Sequence, residues 1–275
     1  MKDITDTMTE KTDAPPAPSA HGGRPPSTME TFVPDLVEHG ATVRGEAQTL
    51  DTRLFVQLHV FTDCLDSAAV VAAVRDSGLE AVVYANLNDP RGVGVVLMSE
   101  DPNLFADAGR ALLTGPVFTS LTPLPDFTMI GRTYAGGREP DLTDFLLHKV
   151  RRHAFNPDYP WGIWYPLRRT GAFNRLPRGD QGRILMEHGT VGRGYGSLGL
   201  AVDIRLECHG LDRDDNEFVI GLIGPELYPL SKLVKDMRPT VQTSEYIQDM
   251  GPFFVGRVLY QAPVPEAVKG AGPDY

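Results

Sequence analysis

The chain has 275 residues, 41% of them hydrophobic and 23% charged, enough to build a sizeable core and unlike a disordered chain or a coiled coil. Its net charge of −10 disfavours a phosphate backbone, so nucleic acid is not an expected partner. Cys64 and Cys208 form no CxxC pair, no apolar run approaches the ~20 residues of a membrane span, and no apolar leader follows Met1, so the expected compartment is a reducing cytoplasm.

Residues 1–45 read as a disordered tail, being polar, rich in Pro, Ser and Thr, and without a hydrophobic period. Order begins with LFVQLHVF (54–61), a strand. Asp66 caps a helix through Val74 that stops at Gly78. GLEAVVYANL (78–87) supplies a second strand, NDPRG (88–92) a turn and VGVVLMS (93–99) a third strand. Asp101–Pro102 opens a helix through Leu113, and FTMIGRTY (127–134) is a fourth strand.

The second half repeats this order. WGIWYPL (161–167) is a strand and Arg178–His188 a helix stopped at Gly189. GLAVDIRLEC (199–208) and NEFVIGLI (216–223) form a hairpin around HGLDRDD. PELYPLSKLVKDM (225–237) is a helix and PFFVGRVLY (252–260) the last strand. Two βαββαβ units in tandem predict an α+β fold of two ferredoxin-like halves, 46–145 and 146–262, with a C-terminal tail at 263–275. Two antiparallel sheets facing each other, with helices outside, would bury both apolar sheet faces.

Several motifs fail on context. GYGSLG (194–199) has dinucleotide-fingerprint spacing but follows a helix and precedes a strand, so it reads as a loop. DRDDNE (212–217) has Glu217 where a calcium loop needs Gly, and reads as a hairpin turn. The chemistry concentrates at 148–183, where eight Lys and Arg residues face only Asp158 and Asp180. Such a stretch suits an anionic ligand, or is a solvated face of ion pairs. Within it, PWGIWYPLRR (160–169) puts Trp161, Ile163 and Tyr165 on one strand face and Gly162 and Trp164 on the other. Tyr165 can hydrogen-bond an acid or carry redox chemistry; it can also be a core tyrosine with a satisfied phenol. His188 in ILMEHG (184–189) either interacts with a helix dipole or ligates a metal. One imidazole is too few for zinc but enough for haem, whose macrocycle brings four ligands of its own.

WYPLRR, LMEHGTVGRGY (185–195), GLDRDDNEFVIGL (210–222), LVKDMRPTVQTSEYI (233–247) and PFFVGR (252–257), in this order and spacing, resemble the chlorite dismutase family, and most closely its coprohaem decarboxylase branch. The resemblance spans about residues 115–260. It implies two ferredoxin-like halves forming an α+β barrel, in a homo-oligomer that is usually a pentamer. It places His188 as the proximal iron ligand, Tyr165 as the catalytic tyrosine and His148 as a distal base. Arg169 and Arg168 would lie at a propionate, with Trp164 and Ala201 lining the porphyrin. Ala201 stands where chlorite-splitting members have a distal arginine, which argues against chlorite dismutation. The implied reaction is peroxide-dependent decarboxylation of iron coproporphyrin III to haem b, with hydrogen peroxide as oxidant and Tyr165 taking hydrogen from a propionate β-carbon. Phe173 and Asn174 depart from the branch, which usually has Trp and Tyr there; a haem peroxidase of other specificity, a haem carrier or a structural oligomer are the alternatives.

Overall fold

The computed structural model describes residues 33–268. It opens with a hairpin, β1 (Glu38–Val43) and β2 (Glu46–Leu50). The turn residues Arg44 and Gly45 have φ of 53° and 87°, the left-handed pair a tight hairpin needs. The expected tail through residue 45 is thus corrected at its end, while residues 1–32 lie outside the described residues. Glu38 anchors the hairpin: its carboxylate accepts from Arg53 Nε at 3.1 Å and from Ala135 N at 2.9 Å.

The first βαββαβ unit follows. It comprises β3 (Phe55–Thr62), α1 (Ser67–Ser77), β4 (Ala81–Asn86), β5 (Val93–Ser99), α2 (Asn103–Ala106), α3 (Ala108–Leu113), the short β6 (Thr122–Pro123) and β7 (Met129–Arg132). Asp66 Oδ1 accepts from Ala68 N and Ala69 N, and Gly78 takes φ 68°, so α1 starts and stops on the residues expected. The single helix expected from Asp101 is instead two, broken at non-helical Asp107. A π turn, Asp144–His148, runs straight into α4 (Lys149–Ala154). The second unit is β8 (Trp161–Arg169), α5 (Gly171–Asn174), α6 (Arg178–Ser197), β9 (Val202–Glu207), β10 (Phe218–Gly224), α7 (Leu227–Met237), β11 (Ile247–Met250) and β12 (Phe254–Gln261).

Strand order is β7-β3-β5-β4 in the first half and β12-β8-β10-β9 in the second. Both are the 4-1-3-2 order of a ferredoxin-like unit, as expected. β4 pairs with β12 over five residues of β12, whereas β7 meets β9 only at Arg132↔Glu207. The two sheets therefore close into one antiparallel barrel, with β11 added beside β8 and β6 beside β3.

Strand alternation divides inside from outside. Val56, Leu58 and Val60 of β3, Tyr84, Trp164, Ile204, Leu206 and Phe254 fill the barrel, joined by Leu146, Leu147 and Val150 of the π turn and α4. The boundary expected at 145/146 thus falls within one helical segment of a core both halves share. Glycine makes room for the large rings: a Cβ at Gly221 would lie 2.6 Å from Trp164, and one at Gly94 2.4 Å from Phe254. Cys64 and Cys208 are buried, and burial pushes the Cys208 thiol up to about 12. The expected C-terminal tail is packed through Val268, which is buried; the rest lies outside the described residues. Among the described residues no helix is long and apolar enough to cross a membrane.

Candidate active site

The outer face of the second sheet is laid out by the β8–β10–β9 register. Tyr165, Ile220 and Arg205 form one cross-strand row, Ile163, Leu222 and Asp203 the next, and Leu167, Phe218 and Glu207 a third. Two strand spacings put the Arg205 Cα about 10 Å from that of Tyr165. Ala201 precedes β9 on the same face and is buried beside Tyr165, Ile163 and Leu222. The Tyr165 ring stacks on Phe253 with centroids 4.4 Å apart. Burial pushes its phenol above the ordinary tyrosine range; the Asp203 charge adds to this and Arg238 opposes it. At neutral pH Tyr165 holds its proton.

His188 comes from α6, which runs to Ser197 rather than stopping at Gly189. Each helical glycine costs up to ~1 kcal/mol relative to alanine. Packing on the sheet side offsets this: Val191 and Tyr195 join the Tyr165 cluster, and Tyr195 donates its hydroxyl to Asp236 at 2.7 Å. The segment read as a GYGSLG loop therefore supplies the last helical turn, and only Gly199, at φ 66°, takes a left-handed conformation. Yet α6 has no buried residue, and Leu185 and Met186 are exposed. No dry core lies under its first half. Burial lowers the His188 pKa, the Asp203 charge raises it, and Arg205 lowers it. α6, which carries His188, packs through Val191 and Tyr195 on the cluster that holds Tyr165. The His188 ring is oriented from behind by Thr240, whose Oγ1 lies 3.1 Å from Nδ1.

Other expected site residues separate. Trp164 is corrected: alternation turns it into the barrel core, on the opposite face of β8 from Tyr165. Arg168 is corrected for the same reason; it faces away and pairs with Asp249 at 2.8 Å. Arg169 shares the Tyr165 face. Its N and Nε donate to Glu217 Oε2 at 2.9 and 3.0 Å, and its guanidinium lies between the rings of Phe173 and Phe218, 4.3 and 4.7 Å from their centroids. His148 sits on the π turn, 4.0 Å from Asp144 Oδ1. No contact joins it to Tyr165 or His188 among the described residues.

Five of the eight Lys and Arg residues in the stretch 148–183 are ion-paired, four of them with acids from outside it. Arg151 is buried between Glu80 and Glu100, Arg152 pairs with Asp144, and Arg183 with Asp180. The ion-pair reading of this stretch prevails over an open anion surface. On the same face β9 contributes Arg205 between Asp203 and Glu207. Arg205 pairs through Nε with Asp203 at 3.1 Å, and its two terminal nitrogens have no partner among the described residues. Asp203 and Arg205 also line a cavity of about 110 Å³ with Tyr134, Lys149 and His153, in the seam where β7 meets β9. The sequence carried one signal for them: Asp203, Arg205 and Glu207 alternate with apolar residues on a strand whose outer face should lie under a helix. Among the described residues no group of three or more His, Cys, Asp or Glu stands together as a metal site.

Comparison with known proteins agrees with this architecture. The sequence model of a family described as chlorite dismutase matches residues 106–259. A coproheme decarboxylase of Mycolicibacterium smegmatis is 30% identical over 191 residues, 64% of this chain and 78% of that protein. Among solved structures, a heme-binding protein from Thermus thermophilus superposes with a TM-score of 0.59 at 18% identity, covering 76% of this chain and 92% of its own. Chlorite dismutase from Candidatus Nitrospira defluvii, in complex with imidazole, superposes with a TM-score of 0.57 at 14% identity, with the same coverage. The two superpositions establish the fold.

Proposed function

The chain belongs to the chlorite dismutase family, and on that premise we propose that it is a haem-dependent oxidoreductase that decarboxylates two propionates of iron coproporphyrin III with hydrogen peroxide. The observation that supports the proposal is the packing of α6, which carries His188, on the Tyr165 cluster through Val191 and Tyr195. The residues fit an iron porphyrin. A macrocycle that brings four nitrogens needs one protein ligand, and His188 offers Nε2 while Nδ1 is held by Thr240. Loaded with the porphyrin, the site would gain its redox chemistry from the iron.

The chain's own residues position and transfer. His188 would hold the iron from α6. Buried Tyr165, protonated at neutral pH, is a hydrogen donor that, once oxidised, takes a hydrogen atom from a propionate β-carbon. Each round turns one propionate into a vinyl group and carbon dioxide. Two electrons and a proton leave the substrate, and one peroxide takes up two electrons and two protons to become two waters. Arg205 supplies a two-nitrogen fork for a carboxylate, with Arg169 fixed by Glu217 at the far end of the same face. Ala201 puts no guanidinium at the position where chlorite-splitting members have a distal arginine, which disfavours chlorite chemistry. The proposal includes a homo-oligomer, pentameric by the resemblance, to be read by sedimentation. Tyr165→Phe is expected to keep porphyrin binding and lose decarboxylation. Full activity of this variant would overturn the role of Tyr165.

A further inference from the structure

The connection between α7 and β11 carries three buried polar side chains, Thr240, Gln242 and Thr243. Two of them face His188: Thr240 Oγ1 lies 3.1 Å from Nδ1, and Thr243 Oγ1 3.5 Å. Thr240 Oγ1 is also 2.8 Å from the carbonyl oxygen of Met237, which can only accept. A hydroxyl has one hydrogen and two lone pairs. With its hydrogen on Met237, Thr240 can only accept from the ring, so Nδ1 carries the proton and Nε2 the lone pair. Thr243 Oγ1, 3.2 Å away, is a second acceptor for the same hydrogen, and on either acceptor Thr240 can only accept from the ring.

The backbone geometry supports this contact independently. Glu187, the neighbour of His188, accepts from Val241 N at 3.2 Å, so two successive residues of α6 hold two successive residues of the connection.

We propose that Thr240 is the positioning residue of the iron-binding imidazole: it fixes the tautomer that presents Nε2 and, as a neutral acceptor, keeps the ring a neutral donor. This rests on the reading of His188 as the iron ligand. A carboxylate at the same place would raise the basicity of the ligand more than a hydroxyl oxygen, which carries no full charge.

The test begins without porphyrin. In the ¹⁵N-histidine-labelled apo-protein, with the His188 signals identified by their loss in His188→Gln, Nδ1 is expected to be the protonated nitrogen. Thr240→Ser keeps this tautomer and Thr240→Val loses it. A wild-type His188 protonated on Nε2, or a Thr240→Val protein with an unchanged tautomer, would overturn the proposal. A second readout uses the ferrous protein loaded with iron coproporphyrin III. Thr240→Val is expected to bind it ~10–100-fold more weakly. Thr240→Asp is expected to raise the iron–histidine stretching frequency, and Thr240→Ser to leave it in place; an unmoved frequency in Thr240→Asp contradicts the proposal. If wild type shows no iron–histidine band and His188→Gln binds the porphyrin equally well, the haem reading fails instead, and the apo tautomer still decides the role of Thr240.

Discussion

In the first βαββαβ half the outer sheet face is sealed. Val83, Val95 and Leu97 are fully buried beneath Val70 and Val74 of α1 and Phe118. In the second half the strand order is the same, but the helix that corresponds to α1 is the glycine-rich α6, which has no buried residue. The face beneath it carries Tyr165, Asp203 and Arg205. α7 packs normally, burying Leu230 and Leu233, so the difference between the halves is confined to α6. One unit seals its face beneath a helix with a buried stripe; its repeat covers the same face with a helix that buries none of its own residues, which is where the proposed site lies.

The sharpest way to break this comparison is at the reacting groups. Tyr165→Phe is expected to lower decarboxylation at least ~100-fold, the smaller end of what loss of a proton-transferring group costs, with melting temperature little changed. Mass spectrometry of the porphyrin after peroxide addition measures it. In the sealed half, Leu97→Ala should cost about 2–5 kcal/mol in denaturant unfolding. Met186→Ala on α6 should change stability by less than about 0.5 kcal/mol. Equal losses would show that α6 covers a dry core after all.

Arg205→Ala is expected to weaken coprohaem binding by about tenfold, as loss of a charged hydrogen bond does, without affecting stability. Porphyrin titration followed in the Soret region would show it; an unchanged Kd would remove Arg205 from the site. The smallest effect is on pH dependence. Burial lowers the pKa of His59 on β3 below its ordinary 6.5, so as pH falls the unfolded chain binds this proton first. The contribution of His59 is complete above about pH 6.5 and is lost as pH drops through the lowered folded value. Melting of the apo-protein should fall between pH 7.5 and 5.5, and His59→Gln should make that slope shallower. An unaltered slope would show that His59 is not part of it.

The repeated βαββαβ order was legible because its signals are local: Asp66 and Gly78 bracket α1, and period-two alternation marks the main strands. The closing pairs β4–β12 and β7–β9 were not, because contacts between halves leave no local pattern. The length of α6 was misjudged at Gly189, since tertiary packing through Val191 and Tyr195 overrides helix propensity. Alternation made the face that Tyr165 takes on β8 legible, whereas the roles of Tyr165 and His188 came only as implications of the family resemblance. Trp164 shows the limit of proximity in sequence: its neighbour faces the site, and it faces the core. Thr240 was not legible at all, because its contact with His188 spans 52 residues.

The most direct measurement is a titration of the purified protein with iron coproporphyrin III, followed by stepwise hydrogen peroxide and weighing of the porphyrin. The account predicts a Soret shift that depends on His188 and two successive losses of carbon dioxide that depend on Tyr165. Tight binding with peroxide consumed and no loss of mass would contradict it.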